Sequence, residues 1–167
     1  ARLNVGGLAG DDPIARLRAP AILGMAHSRA GEVSEAHRAF SQAIEIALAA
    51  GLGFAAAPLL CNLAETEIAQ GQLRQAARTV ERAGDLAAVD GVPMSVAGFA
   101  RLEMGKILFE WNDLPAAERN LVEGLDLLSR GGISESFGSG HAVLAQVRQA
   151  QGDRAGALEA AQQAVEI

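Results

Sequence analysis

The residues of this chain whose chemistry goes beyond packing are three histidines, one cysteine and a scatter of carboxylates. His27, His37 and His141 form no His-x-x-x-His pair and Cys61 stands alone, so the ligand spacing of a zinc site is missing. Carboxylates cluster at Asp11-Asp12, at Glu65 and Glu67, and at Glu103 with Glu110, but none has a nucleophile or metal-ligand set beside it. In a helical chain with 20 acidic residues they read as solvated charge or as i, i+4 partners. No Gly-x-x-x-x-Gly-Lys-[Ser/Thr] phosphate loop occurs, and no Gly-x-Gly-x-x-Gly follows a strand. Gly138-Ser139-Gly140 lacks the strand that a nucleophile elbow needs. The glycine- and serine-rich run from Gly132 to Gly140 reads as a connector between helices. Catalysis is unsupported: the chain is expected to be no enzyme, with no cofactor and no metal.

The elements that would position these side chains are helical. Half of the 167 residues are hydrophobic, only 4% are aromatic and Tyr is absent, so alanine supplies much of the apolar content. Alanine favours helices and lets them approach closely. A net charge of −6 argues against direct nucleic-acid binding, which needs a clustered basic face. A single cysteine cannot form an internal disulfide and fits a reducing, cytoplasmic setting. No apolar run approaches the ~18–20 residues of a membrane span. The N-terminal Ala-Arg-Leu-Asn-Val lacks the apolar stretch of a signal peptide, and Ala-Val-Glu-Ile stops inside an apparent helix; the chain reads as an excised piece of something longer.

An internal period organises the helices. Gly31-Glu-Val-Ser-Glu-Ala36, Gly71-Gln-Leu-Arg-Gln-Ala76, Asn112-Asp-Leu-Pro-Ala-Ala117 and Gly152-Asp-Arg-Ala-Gly-Ala157 recur at steps of 40, 41 and 40 residues. Each opens on a residue that tolerates positive φ. Gly51, Gly91 and Gly131 keep a second beat, placed as C-terminal helix caps. Seven residues before each turn stand Gly24, Ala64, Gly105 and Ala145, preceded by Leu23, Leu63, Met104 and Leu144. After each turn a small residue is followed at four and seven positions by others of one face: Ala36, Phe40 and Ala43; Ala76, Val80 and Ala83; Ala117, Leu121 and Gly124; Ala157, Ala161 and Ala164. That stripe is one buried helix face. The pattern predicts an all-α solenoid of four helical hairpins over 12–51, 52–91, 92–131 and 132–167, with 1–11 a linker or the end of a preceding repeat. Asp12-Pro13 and Val92-Pro93 look like first-helix starts and Ser134 like an N-cap, giving first helices of roughly 17 residues. Pro20 and Pro58 predict a bend or a late start in the first two.

The series Leu23-Gly24, His27, Gly31, Ala36, Phe40, Ala43 resembles the tetratricopeptide consensus, with a period longer than the usual ~34 residues. The longer period, the Ala-rich helices and the closing Gly152-Asp-Arg-Ala-Gly-Ala-Leu-Glu-Ala160 resemble the helical-repeat sensor region of large ATP-binding LuxR-type transcription activators of the maltose-regulator class. The resemblance implies a right-handed solenoid whose first helices line a concave binding groove. In that class the region lies between an ATPase and a helix-turn-helix domain, neither of which is present here.

Transferred by that resemblance, the concave positions are Arg18, Met25, Ser28 and Arg29, then Cys61, Asn62, Glu65 and Ile68. They continue with Phe99, Leu102, Glu103, Lys106 and Phe109, and then Ala142, Gln146 and Gln149. Met25, Arg29, Asn62, Glu65, Lys106, Phe109 and Gln146 are the expected ligand contacts. Phe109 either offers a ring face or packs; Phe99 is expected to pack. His27 stands where the repeat usually has a buried aromatic, His37 is expected to be solvated and His141 half exposed. Trp111, ahead of the third turn, reads as a hairpin plug. The carboxylate clamp of chaperone-binding tetratricopeptide domains is disfavoured: Asn62 matches it, but Ala21, Met25, Phe99 and Glu103 stand where it needs polar or basic groups. Two functions compete: a sensor that binds a small inducer or regulatory protein, and a generic scaffold for an extended peptide. Leu158, Ala161 and Val165 lack a following repeat, which predicts self-association through that end.

Overall fold

A computed structural model describes residues 12–89, 94–132 and 137–165. Among them are eight α-helices: α1 Pro13–Arg29, α2 Val33–Ala49, α3 Gly53–Ala69, α4 Leu73–Val89, α5 Met94–Glu110, α6 Leu114–Arg130, α7 Phe137–Gln151 and α8 Arg154–Val165. All but α7 and α8 are 17 residues long. Each helix packs on the next in the chain. The odd-numbered helices also touch one another (α1 with α3, α3 with α5, α5 with α7), whereas no two even-numbered helices do among the described residues. The odd helices therefore crowd one face of an all-α solenoid and the even helices spread over the other.

The hairpin turns are built by the backbone. Gly31, Gly71 and Gly152 adopt φ of 76°, 72° and 86°, and Asn112, the non-glycine at the same register, adopts 60°. In each turn the N–H two residues after the helix cap donates back to the carbonyl five positions upstream: Glu32 to His27, Gln72 to Glu67, Asp113 to Leu108 and Asp153 to Arg148, all at 2.8–2.9 Å. This is the Schellman closure, and it needs a left-handed residue in its middle. The next helix often starts on an acidic cap: Asp113 Oδ1 accepts from the Ala116 N–H and Asp153 Oδ1 from that of Gly156. The start expected at Asp12-Pro13 is present too, with Asp12 Oδ1 accepting from the Ile14 N–H.

Between hairpins, Gly51 is left-handed at φ 70°. Gly131 caps α6 in a right-handed conformation, and the positive φ falls one residue later, on Gly132. Gly91, Pro93 and Ser134 lie outside the described residues. The late start expected from Pro20 and Pro58 does not occur: α1 begins at Pro13, α3 at Gly53, and both run through the proline. Each proline deprives one upstream carbonyl of its donor, but Pro20 is buried and α3 is rich in buried residues, so packing holds the helix.

The small residues set the distance between paired helices. A Cβ added to Gly24 would lie 2.6 Å from the Phe40 ring, and one on Gly105 2.6 Å from Leu121. Phe40, Leu60, Ile107 and Val80 anchor one core shared by the first three hairpins, and Leu102, Leu121, Leu128, Leu144 and Val147 anchor a second across the third and fourth. The second-helix stripe is buried in the first three repeats: Ala36, Ala43, Ala76, Ala83, Ala117 and Leu121 are all fully covered. In α8 it is not. Ala161 is exposed and Ala160 is the buried residue, because α8 has only α7 to pack on. Leu23, beside Gly24, is likewise 53% exposed at the opposite end.

Candidate functional site

The crowded face carries a cavity of about 280 Å³ between three successive odd helices. Pro58, Cys61, Asn62 and Glu65 come from α3, Phe99, Leu102 and Glu103 from α5, and Ser139 from α7. Both main walls follow helical spacing, i, i+3, i+4 and i+7 on α3 and i, i+3 and i+4 on α5, which puts those side chains on one face of each helix. The repeat then sets one wall opposite the other: Pro58, Cys61, Asn62 and Glu65 correspond in register to Phe99, Leu102, Glu103 and Lys106.

Lys106 ties the walls together. Its Nζ donates to Glu65 Oε1 at 2.8 Å and to Glu103 Oε1 at 2.7 Å. Glu103 is only 6% exposed, and its second oxygen, Oε2, has no hydrogen-bond partner. Burial pushes the Glu103 carboxyl up to about 7, against the pull of Lys106. Burial works against the Lys106 charge, but Glu103 and Glu65 overcome it and hold the ammonium above the ordinary lysine range. The Cys61 thiol is pushed far up, by burial first and then by Glu103 and Glu65, so it is no nucleophile at neutral pH. The cluster thus presents one cation shared by two carboxylates, an amide and a hydroxyl, against walls of Phe99, Leu102 and Pro58. That set can bind; it contains no activated nucleophile.

Of the seven expected contacts, Asn62 and Glu65 line this cavity and Lys106 braces it. Met25 and Arg29 are exposed on α1 and do not line it. Phe109 is half-buried and packs on the second core. Gln146 is exposed beside a separate hollow of about 730 Å³ that it shares with Gln149, Leu158 and Ala161. Phe99, expected to pack, packs on both cores and also forms cavity wall. Ser139 was hidden in what the sequence suggested was a connector. α7 begins at Phe137, and Ser139 stands one 40-residue period after Phe99, a signal that the register held.

A second hollow, about 650 Å³, opens at the turn edge between His37, Glu67, Leu73, Arg78 and Trp111. Trp111 is not a plug: it follows the last residue of α5, is 45% exposed and borders this open hollow beside the preceding turn at Gly71 and Gln72. Nor is His27 a buried core residue. It is part-exposed and pairs with Glu32 across its own turn. His37, expected in solvent, is half-buried, with Nε2 3.9 Å from Glu67 Oε1. His141 is half-buried, and burial with Arg148 nearby holds it below the ordinary histidine range.

His27, Glu67, Leu108 and Arg148 share one repeat register, and His37, Ala77 and Glu118 share another on the helix before. The first and third joints between hairpins are therefore polar: His37 faces Glu67, and Arg148 Nε donates to Glu118 Oε1 at 3.0 Å. The middle joint has alanine and leucine at those positions.

No helix among the described residues is long and apolar enough to cross a membrane. Among those residues no group of three or more His, Cys, Asp or Glu is placed to hold a metal ion. The fold resembles the crystal structure of BtubC (BKLC) from P. vanneervenii, with a TM-score of 0.71 and 19% identity over 94% of this chain. The chain spans 65% of the length of that protein. The crystal structure of MamA protein is also similar, with a TM-score of 0.56 and 18% identity over 90% of this chain and 72% of that one. At such identities the likeness is one of fold. No curated protein sequence matches the chain. The family of the MalT-like TPR region matches residues 1–167, and the chain belongs to it as a helical-repeat interaction domain.

Proposed function

We propose that this domain is the sensor arm of a LuxR-type transcription regulator of the maltose-regulator class, holding a small inducer or the contact group of a regulatory protein in its concave cavity. One observation carries the reading: the cavity is bounded by α3, α5 and α7, one helix from each of three consecutive hairpins. An occupant that touches all three restrains their relative positions, and a solenoid transmits such restraint along its length because each repeat contacts its neighbours. The site offers binding groups from three helices, and in this reading the domain acts by occupancy. In this reading DNA contact falls to another part of the regulator, in keeping with the net charge of −6 here.

The test has two parts. The flanking gene sequence must encode a phosphate loop upstream and a helix-turn-helix downstream; a gene without them sinks the regulator reading. A thermal-shift screen tests the cavity, since a ligand at 100 times its Kd adds about 2.7 kcal/mol. A second reading, a scaffold for an extended peptide, is favoured by the exposed first-helix residues beyond the cavity, Met25 and Arg29 at one end and Gln146 at the other. It wins if a peptide stabilises the domain and no small molecule does. Leu158 and Val165, 62% and 83% exposed on α8, are proposed to pair with a second copy. Sedimentation at millimolar protein should show association that Leu158→Lys weakens, and a strictly monomeric mass refutes it.

A further inference from the structure

We propose that the concave cavity is selective for a compact organic cation, a primary ammonium or guanidinium group, received by Glu103 Oε2 with the Glu65 carboxylate beside it. The inference rests on the reading of this cavity as the ligand site and adds the chemistry of its occupant.

A buried carboxylate oxygen without a donor is costly and calls for an explanation, and beside a cavity a partner that arrives later is one. Glu103 Oε2 is such an oxygen, on a residue that lines the cavity; the oxygen itself has almost no exposed surface, so a guest reaches it by displacing part of the wall. The resident cation does not supply the missing bond, because Lys106 Nζ donates to Oε1 of Glu103 and to Oε1 of Glu65. Two carboxylates against one ammonium leave the cluster one negative charge in excess when both are ionised. A monocation brings it to neutrality, an anion meets two carboxylates and an occupied lysine, and a neutral polyol leaves the charge uncompensated. The rest of the lining suits the same guest. Phe99 offers an aromatic wall, which attracts a cation when its face is presented, while Leu102 and Pro58 cover an aliphatic stem and Asn62 and Ser139 supply further acceptor oxygens. About 280 Å³ limits the guest to a short amine or guanidine, or to one lysine or arginine side chain.

The titratable and charged groups facing Glu103 are Glu65 and Cys61 from α3 and Lys106 from its own helix, while α7 contributes Ser139 to the lining. A cation binds the ionised carboxylate, so binding releases the proton that Glu103 holds below about pH 7. Affinity then rises nearly tenfold from pH 6 to pH 8 at constant ionic strength.

Calorimetric titration of the whole chain with n-butylguanidine, n-butylamine, n-butanol and butyrate at both pH values tests this. The two cations should bind and release heat at pH 8, and butanol and butyrate should not. Glu103→Gln should weaken the cations at least tenfold and remove the pH dependence. Glu65→Gln, at a half-exposed carboxylate, should weaken them severalfold with the circular dichroism of the wild type retained. A tripeptide with one central arginine and blocked termini separates the sources: tighter binding than n-butylguanidine identifies a protein partner's side chain, weaker binding a free metabolite. Binding of butanol or butyrate that Phe99→Ala abolishes overturns the cation proposal while leaving the cavity as a ligand site. Cation binding indifferent to both carboxylate variants overturns the proposal as well. No binding by any probe overturns both.

Discussion

Glu67 and Glu103 are the same residue type on consecutive first helices, both almost fully buried and each with one carboxylate oxygen lacking a partner. Their surroundings differ. Glu103 stands at the concave face between two other helices, with a lysine ammonium 2.7 Å from one oxygen and a cavity in front of it. Glu67 stands at the turn edge, where its own carbonyl closes the Schellman turn and its nearest basic group is His37, 3.9 Å away on the preceding hairpin. The register explains the second case: Glu67 takes a position that the next hairpin fills with Leu108, so its role is to join hairpins. The register does not explain the first, because Glu103 corresponds to Asn62 and its partner Lys106, on its own helix, is shared with Glu65 of the preceding hairpin beside the cavity. A buried carboxylate therefore marks a site when several hairpins converge on it, and a joint when one neighbour meets it.

The comparison breaks most visibly at Lys106. Lys106→Met leaves Glu65 and Glu103 facing each other without a cation, a loss of order 3 kcal/mol in urea unfolding at pH 8, at the low end for a buried pair because Lys106 keeps some exposure. The loss should shrink at pH 5, where Glu103 takes up a proton, and a pH-independent loss refutes the coupling.

The pH profile of the wild type is next in size. The Glu103 carboxyl is raised from 4.5 to about 7, so between those values the folded chain holds a proton that the unfolded chain has lost. Its contribution to stability is complete below pH 4.5, declines as pH rises to 7 and is flat above. At about 1.4 kcal/mol per pH unit the decline is at most about 3 kcal/mol. It is measured as the difference between wild type and Glu103→Gln, and a rising or flat difference refutes it.

Glu67 should behave in the opposite sense to Lys106. Glu67→Leu, the residue that the third hairpin has, replaces an incompletely paired buried charge by a packed side chain and should stabilise by about 1–2 kcal/mol. A large destabilisation would show that the His37 contact matters more than packing. Smallest is Trp111→Ala, expected below about 1 kcal/mol because the ring is half exposed, whereas a plugged aromatic would cost about 3–5 kcal/mol.

Much of this was legible in the residues. Gly31, Gly71, Asn112 and Gly152 mark the turns because a positive φ is a local demand that few residue types meet. Gly24 and Gly105 mark close helix contacts because a Cβ has no room there. Asn62, Glu65 and Lys106 were expected on the concave face through the resemblance to the tetratricopeptide repeat, whose concave positions carry over at the matching register. The misreadings were of another kind. His27, Trp111 and Ala161 were assigned burial by register, but burial depends on whether a neighbour is present, and the ends and turn edges of a solenoid lack one.

The sequence by itself determined the period, the turns and the small-residue contacts, because each depends on residues within one hairpin. Only the tertiary structure decided that Lys106 bridges Glu65 and Glu103, that Glu103 keeps an unpaired oxygen, and that Ser139 completes the cavity. Those facts depend on how three hairpins stack, which brings together side chains some 40 residues apart, and on how far that stacking takes a carboxylate out of water.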